Sequence, residues 1–190
     1  MPDGREATAV RVIRSLGEVP PEAWDACAGA ENPFVSHAFL SALEDSGSAT
    51  AESGWLGQHL LIEDEAGSLL AAAPLYMKNH SYGEYVFDWG WADAFERAGG
   101  HYYPKLQCSV PFTPVTGPRL MTRAGLDAGH AAELRDNLVA AMITLAGRHD
   151  ISSVHITFPT EAEWRGMGGR GLLMRLGQQF HWHNEGYGCF

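Results

Sequence analysis

The sequence predicts an α/β domain with a mixed central sheet flanked by helices. Three observations carry this. TAVRVIRS (8–15) alternates and is β-branched, like a first strand. QHLLIEDEAGSLLAAAPLYMKNH reads as a β-hairpin: a strand over 58–64, a turn at Glu65-Ala66-Gly67 and a returning strand over 68–78. LDAGHAAELRDNLVAAMITLAGRHD (126–150) is the clearest helix, with Leu134, Leu138, Ala141, Met142 and Leu145 as its apolar stripe. ISSVHITF (151–158) follows it as a strand. Strand, long helix, strand makes a βαβ unit with parallel strands and a right-handed crossover.

The other elements fill in around these. Pro20 and Pro21 open a short helix over EAWDACAG. Ser36 can cap the helix HAFLSALEDSG, in which Phe39, Leu40 and Leu43 share a face and Gly47 follows the end. WADAFERAG (91–99) has helical spacing, with Trp91, Phe95 and Ala98 on one side and Gly99-Gly100 as its stop. CSVPFTPVTGPRLM is extended, and three prolines break it into a strand with a bulge or bend over 109–121. TEAEWRGMG is a short helix, and 169–177 has no clear period. QQFHWHN (178–184) alternates as a last strand.

Length and composition bound the possibilities. At 190 residues, 45% hydrophobic and 19% charged, the chain can bury a core as one domain. Its net charge of −10 argues against a general nucleic-acid or anionic-membrane surface. No apolar run approaches the ~20 residues of a membrane span, and the opening MPDGREATAVRVIRSLGEV has no apolar leader region. Cys27, Cys108 and Cys189 are odd in number and widely spaced, so reduced thiols in a cytoplasmic protein are expected. The last residues, QQFHWHNEGYGCF, stop on an aromatic without a polar tail, which points to a cut inside a longer reading frame.

No motif fixes a chemistry: there is no GxSxG, no GxxxxGK[ST] and no HExxH. The densest stretch is SYGEYVFDWGWADAFERAGGHYYPKL (81–106), with eight aromatic residues among charged ones. Asp88, Asp93, Glu84 and Glu96 are candidate general bases, because desolvation by neighbouring rings raises a carboxyl pKa. For Asp88, between Phe87 and Trp89, a buried base and a partnered structural charge are both open. For Glu96 a solvated helix rim is the simpler reading. Arg119, after Gly117-Pro118, can grip an anion bidentately, with Lys78 and Lys105 joining it; the alternative is a rigid bend with exposed charges. His181 and His183 point the same way on a strand and could hold a metal with His155 or Asp88, but without a third ligand in register a polar strand face is simpler, and no metal is expected. Cys108 reads as a small buried hydrophobe.

NPFVSHAFLSALEDSGS, AAAPLYMKNHSYGEYVFDWGWADAFERAG, YYPKL, VPFTPVTGPRL and FHWHNEGY, in that order, resemble a bacterial FemAB-like family. Its members are called peptidoglycan biosynthesis or recognition proteins and are grouped with the GNAT (N-acetyltransferase) superfamily. The resemblance covers about residue 32 to 190. It implies a GNAT-like (acyl-CoA N-acyltransferase-like) fold, with 1–190 as the first of two such domains and the second as its partner. It implies an acyl or aminoacyl transferase acting on an amine acceptor such as a peptidoglycan precursor. The donor, acyl-CoA or aminoacyl-tRNA, would be held through the other half, with no cofactor in this one. One departure matters. Acetyl-CoA enzymes of the superfamily carry a Q/R-x-x-G-x-G/A loop before the long helix. Here the connection is RLMTRAGLDAGH, and Arg123-Ala124-Gly125 matches poorly. The resemblance puts an acceptor cleft in this half, with Asp88 as the base, Lys78 and Arg119 for acceptor anions, and Tyr82, Tyr85, Trp89, Trp91 and Tyr103 as further substrate contacts. The alternative is a peptide or glycan recognition domain, or a scaffold.

Overall fold

The structure, a computed structural model, describes residues 9–188. The expected first strand forms as β1 (Val10–Ile13). Pro21 at the first helical position starts α1 (Pro21–Ala28), and the Ser36 hydroxyl accepts the Phe39 N–H to cap α2 (His37–Asp45). The hairpin follows as β2 (Leu56–Gly57), β3 (His59–Glu63), β4 (Leu69–Ala73) and β5 (Leu75–Lys78). Its turn closes on Gly67, whose φ of 79° suits a residue without a Cβ. Next come α3 (Trp89–Arg97), β6 (Lys105–Cys108), β7 (Met121–Thr122), α4 (Ala128–Arg148), β8 (Val154–Ile156) and α5 (Glu161–Gly168).

The hairpin runs through two sheets. Pro74 has no N–H to offer the ladder, so the β3–β4 pairing stops at Leu60↔Ala73 and resumes beyond it as Gly57↔Tyr76. Each half joins a separate four-stranded sheet, ordered β1-β3-β4-β7 and β2-β5-β6-β8. The class is therefore a mixed α/β fold, with its sheet split in two at the proline. All pairings are antiparallel except β6 with β8.

α4 packs across strands of both sheets. Its Leu134, Leu138 and Met142 bury against Leu60, Ile62, Ala71, Leu75, Leu106 and Cys108. The opposite face of the first sheet is covered by α1 and α2, through Trp24, Cys27, Val35 and Leu40. Where the sheets part, α5 closes the gap. The Glu163 carboxylate accepts the N–H groups of Arg119 (2.9 Å) and Leu120 (2.7 Å), and its other oxygen bonds Thr160 at the start of α5.

Three expectations need correction. The strand parallel to β8 is β6, not a strand over 109–121; Pro111, Pro114 and Pro118 leave only Met121–Thr122 of that stretch as strand, and it pairs with β4. The returning strand over 68–78 is broken at Pro74. No strand forms over 178–184: these residues lie exposed beyond α5, because alternation specifies a strand only where a sheet edge pairs with it. Cys27 and Cys108 are buried free thiols, while Cys189 and Phe190 fall outside the described residues.

Glu163→Ala leaves two buried N–H groups without an acceptor and removes a capping box. It should lower the urea unfolding free energy by about 3 kcal/mol, whereas Glu163→Gln, which keeps an acceptor oxygen, should cost less than half of that.

Candidate functional site

The free face of the second sheet carries an alternation of its own. In β6, Leu106 and Cys108 point into the α4 core, so Lys105 and Gln107 point the other way. Cross-strand register adds Lys78 opposite Lys105, Tyr76 opposite Gln107 and His155 opposite Gln107 on the far side. Ser109 and Thr157 continue the row. This face is polar, yet Tyr76, Lys78, Lys105, Gln107 and Ser109 are all buried.

What buries them is the aromatic stretch seen in the sequence. Between β5 and α3 the chain forms a strap, residues 81–88. Gly83, Tyr85 and Phe87 have φ values of 79°, 58° and 50°. These left-handed turns set Glu84 and Asp88 inward, at 3% and 1% exposure, and leave Tyr85 and Phe87 outward at 50% and 76%. Left-handed backbone costs a non-glycine residue about 1–3 kcal/mol, which holds only where the surroundings enforce it. Lys105 enforces it. Its Nζ donates to Glu84 Oε2 (2.8 Å), Asp88 Oδ2 (2.6 Å) and Ser81 Oγ (2.8 Å). Tyr102 OH donates to the same Asp88 oxygen at 2.8 Å, and Tyr103 OH shares a hydrogen bond with Ser81.

Lys78 is placed differently. Its Nζ lies 3.5 Å from the centre of the Trp55 ring and donates to the Tyr82 carbonyl at 3.2 Å. Among the described residues it has no ion-pair partner.

The two carboxylates differ in their electrostatics. Burial pushes both upward. At Asp88 the bonds from Lys105, Ser81 and Tyr102 outweigh burial and pull the carboxyl down to about 2. At Glu84 burial prevails over Lys105, Asp88 adds repulsion, and the carboxyl sits above its ordinary value. The expectation that rings raise Asp88 is thus reversed, because a cation at contact distance outweighs desolvation. Burial pushes Lys78 down to about 7, with Glu84 opposing and Lys105 assisting. Burial also pushes His155 down to about 4, with Lys105 again adding repulsion.

The buried side-chain atoms without a protein partner gather here. Trp55 Nε1, Tyr76 OH, Glu84 Oε1, Asp88 Oδ1, Gln107 Oε1 and Ser109 Oγ all belong to this face or its strap; Trp164 Nε1 is the exception among the described residues. Unpartnered buried polar groups are scarce in folded proteins, and their concentration here makes this face the candidate site.

The sequence candidates divide. Asp88, Lys78 and Tyr103 converge on this face. Tyr82, Tyr85, Trp89 and Trp91 lie above it and are exposed rather than walling a closed cleft. Arg119 stands apart: it is fully buried, and its Nε, Nη1 and Nη2 donate to the carbonyls of Thr157 (2.9 Å), Pro118 (3.2 Å) and Val115 (2.7 Å). It ties the proline-rich stretch to the end of β8 and is committed to backbone, not held out toward a ligand. Lys105, expected beside Arg119 on an anion, is instead paired with Glu84 and Asp88, and Gln107 could have been found from the strict alternation in KLQCS (105–109). Trp55 and Tyr76 carried no signal. His181 and His183 are exposed, and no three metal-binding side chains converge among the described residues.

A half-open groove of about 450 Å³ lies between α4 and α5, lined by residues including Leu120, Arg135, Val139, Thr160, Met167 and Arg170. It shares no residue with the buried face. Its cations are engaged, Arg135 with Thr122 and Arg170 with Asp136. The N-terminus of α4 is occupied as well, since Asp127 accepts the N–H groups of Gly129 and His130.

Lys105→Met would strand two buried carboxylates and should cost about 3–5 kcal/mol in chemical unfolding. Asp88 has a folded pKa below its unfolded one, so its stabilisation is present above pH 3.8 and is lost as pH falls through about 2. Glu84, raised, has the opposite sign and favours folding as the solution is acidified. Unfolding curves of the wild type and Asp88→Asn should therefore differ at neutral pH and converge in strong acid.

Known proteins agree with this architecture. A crystal structure of a Trypanosoma brucei acetyltransferase superposes with a TM-score of 0.52 at 11% identity, covering 93% of this chain and 99% of that one. At that identity the likeness establishes a shared, GNAT-like fold. No curated protein is significantly similar in sequence. Among the described residues, no helix is long and apolar enough to cross a membrane. The model of the FemAB-like family, described as peptidoglycan biosynthesis/recognition, matches residues 15–190, and the chain belongs to that family.

Proposed function

We propose that this chain is the acceptor-binding half of a transferase that moves an acyl or aminoacyl group onto an amine, such as the peptide amine of a peptidoglycan precursor. One observation carries the reading: Glu84 presents a buried, unpartnered carboxylate oxygen on a face crowded with other unpartnered polar atoms. Membership of a family named for peptidoglycan biosynthesis, and a fold shared with an acetyltransferase, support it.

The chemistry asks for a proton acceptor. As the amine nitrogen bonds to the donor carbonyl carbon, it loses a proton, and the ester or thioester bond breaks. The proton goes by way of the base to the departing oxygen or sulfur. Glu84, raised by burial, is a better acceptor than Asp88, which its partners lower to about 2. In this reading Asp88 holds Lys105 and Tyr102 in position, and Arg119 is a brace. Substrate would reach Glu84 only when the strap lifts. The capped start of α4 supports a donor, acyl-CoA or aminoacyl-tRNA, held by a second GNAT-like domain.

A recognition role is the second reading, favoured by the exposed rings of Tyr82 (62%), Phe87 (76%) and Trp91 (66%). Aromatic faces of this kind bind glycans and peptides without chemistry.

The test is transfer by the full-length gene product, offered aminoacyl-tRNA and acyl-CoA donors with amine acceptors and followed by mass spectrometry. Glu84→Gln should cut the rate ~10²-fold or more, the scale of a lost general base, and Asp88→Asn should cut it less. The wild-type rate should rise with pH along a limb lying above 4.5, as Glu84 ionises. Transfer indifferent to Glu84→Gln would remove the catalytic role and leave recognition.

A further inference from the structure

Beside the acidic strap, the same face holds a second, separate arrangement. Trp55, Tyr76, Lys78, Gln107 and Ser109 are all buried, and four of them have a polar atom that no protein group meets. Three of those atoms carry hydrogens to give: the Trp55 Nε1–H, the Tyr76 hydroxyl and the Ser109 hydroxyl. The fourth, Gln107 Oε1, can only accept, its amide nitrogen being engaged with Thr157 at 2.9 Å. Lys78 adds an amine that can donate three bonds and makes one, to Tyr82 O. The five are neighbours. Lys78 lies on the Trp55 ring, Trp55 meets Tyr76 edge to face at 5.3 Å, Tyr76 is directly opposite Gln107, and Ser109 is two residues further along.

We propose that this cluster receives the free carboxylate end of a peptide, with Lys78 as its counter-ion. The inference rests on the peptide acceptor of the reading above and names the part of it that is gripped. A carboxylate offers about four acceptor positions to the donors at the Lys78 end of the row, and Gln107 Oε1 and Ser109, further along it, face the adjoining peptide. Charge favours a monoanion over a dianion. The two lysines and two carboxylates of this face balance, Lys105 takes both ion pairs, and a phosphate dianion would add twice the uncompensated charge of a carboxylate.

The cover over the cluster is thin. Phe112 packs on Trp55 at 5.5 Å and lies against Gly83, where an added Cβ would come within 2.6 Å of the ring. Its N–H bonds the Gly83 carbonyl at 3.0 Å, and the residue itself is 42% exposed. In this reading, lifting the strap with Gly83 away from Phe112 opens the way in.

The probes are the dipeptide Ala-Ala in its L,L and D,D forms, each as free acid and as C-terminal amide, with inorganic phosphate as competitor. Calorimetry on the full chain should show one or both acids binding at least about tenfold more tightly than the matching amide, the scale of a charge-assisted contact. Lys78→Met should abolish that preference with circular dichroism unchanged. Tyr76→Phe, which keeps the ring, should weaken the acid about two- to tenfold, and it decides the matter if Lys78→Met fails to fold. Equal affinity for acid and amide, no binding of either, a preference surviving both substitutions, or equally tight phosphate binding each overturns the proposal. Acid-selective binding without transfer activity sinks the transferase reading and leaves this one standing; transfer to acid and amide acceptors alike, with no acid-selective binding, does the reverse.

Discussion

A missing hydrogen governs this fold. Pro74 sits in the middle of a long hairpin and has no N–H, so the ladder between the two arms breaks where it would have been most regular. The arms continue on either side of the break, but each half recruits its own neighbours, β1 and β7 on one side and β6 and β8 on the other. The single sheet that local pattern implies becomes two. A gap opens where they diverge, and a helix must supply a carboxylate to fill it. Glu163 does so by accepting the two N–H groups that no strand reaches.

The split also separates two kinds of surface. The first sheet is mainly apolar on both faces, between α4 and the α1–α2 pair, with His59 bonded to Glu44 of α2 as its buried polar contact. The second is apolar only toward α4. Its other face carries lysine, glutamine, serine and histidine side chains beneath a strap that turns its acids in and its rings out. This inversion of ordinary burial centres on one ammonium group. Lys105 binds both inward carboxylates, while Lys78, Tyr103 and the Phe112 N–H hold the strap at Tyr82, Ser81 and Gly83.

Burial alone does not assign chemistry within such a cluster. Asp88 and Glu84 share a cation and a depth, yet their acidities move in opposite directions. Asp88 gathers bonds from three donors, whereas Glu84 has Lys105 and a repelling neighbour. Each keeps one oxygen without a protein partner, but the carboxylate singled out in the sequence by its flanking rings is the more firmly committed of the two.

Much was legible in the chain itself. Caps, prolines and periodicity fixed α1, α2, α4 and α5 within a residue or two, because these signals act within one turn of the backbone. The resemblance of five ordered segments to a FemAB-like family was also carried by sequence and agrees with the family match. Asp88, Lys78 and Tyr103 were visible as chemistry without a place. Tertiary structure decided the rest. Pairing β8 with β6 instead of β7, leaving QQFHWHN outside both sheets, and committing Arg119 to three carbonyls all depend on which strand ends meet across gaps of tens of residues. Local pattern says which way a side chain faces. Only the assembled sheet says what stands opposite it, and that neighbour sets the charge, the acidity and the free hydrogen-bonding capacity of a site.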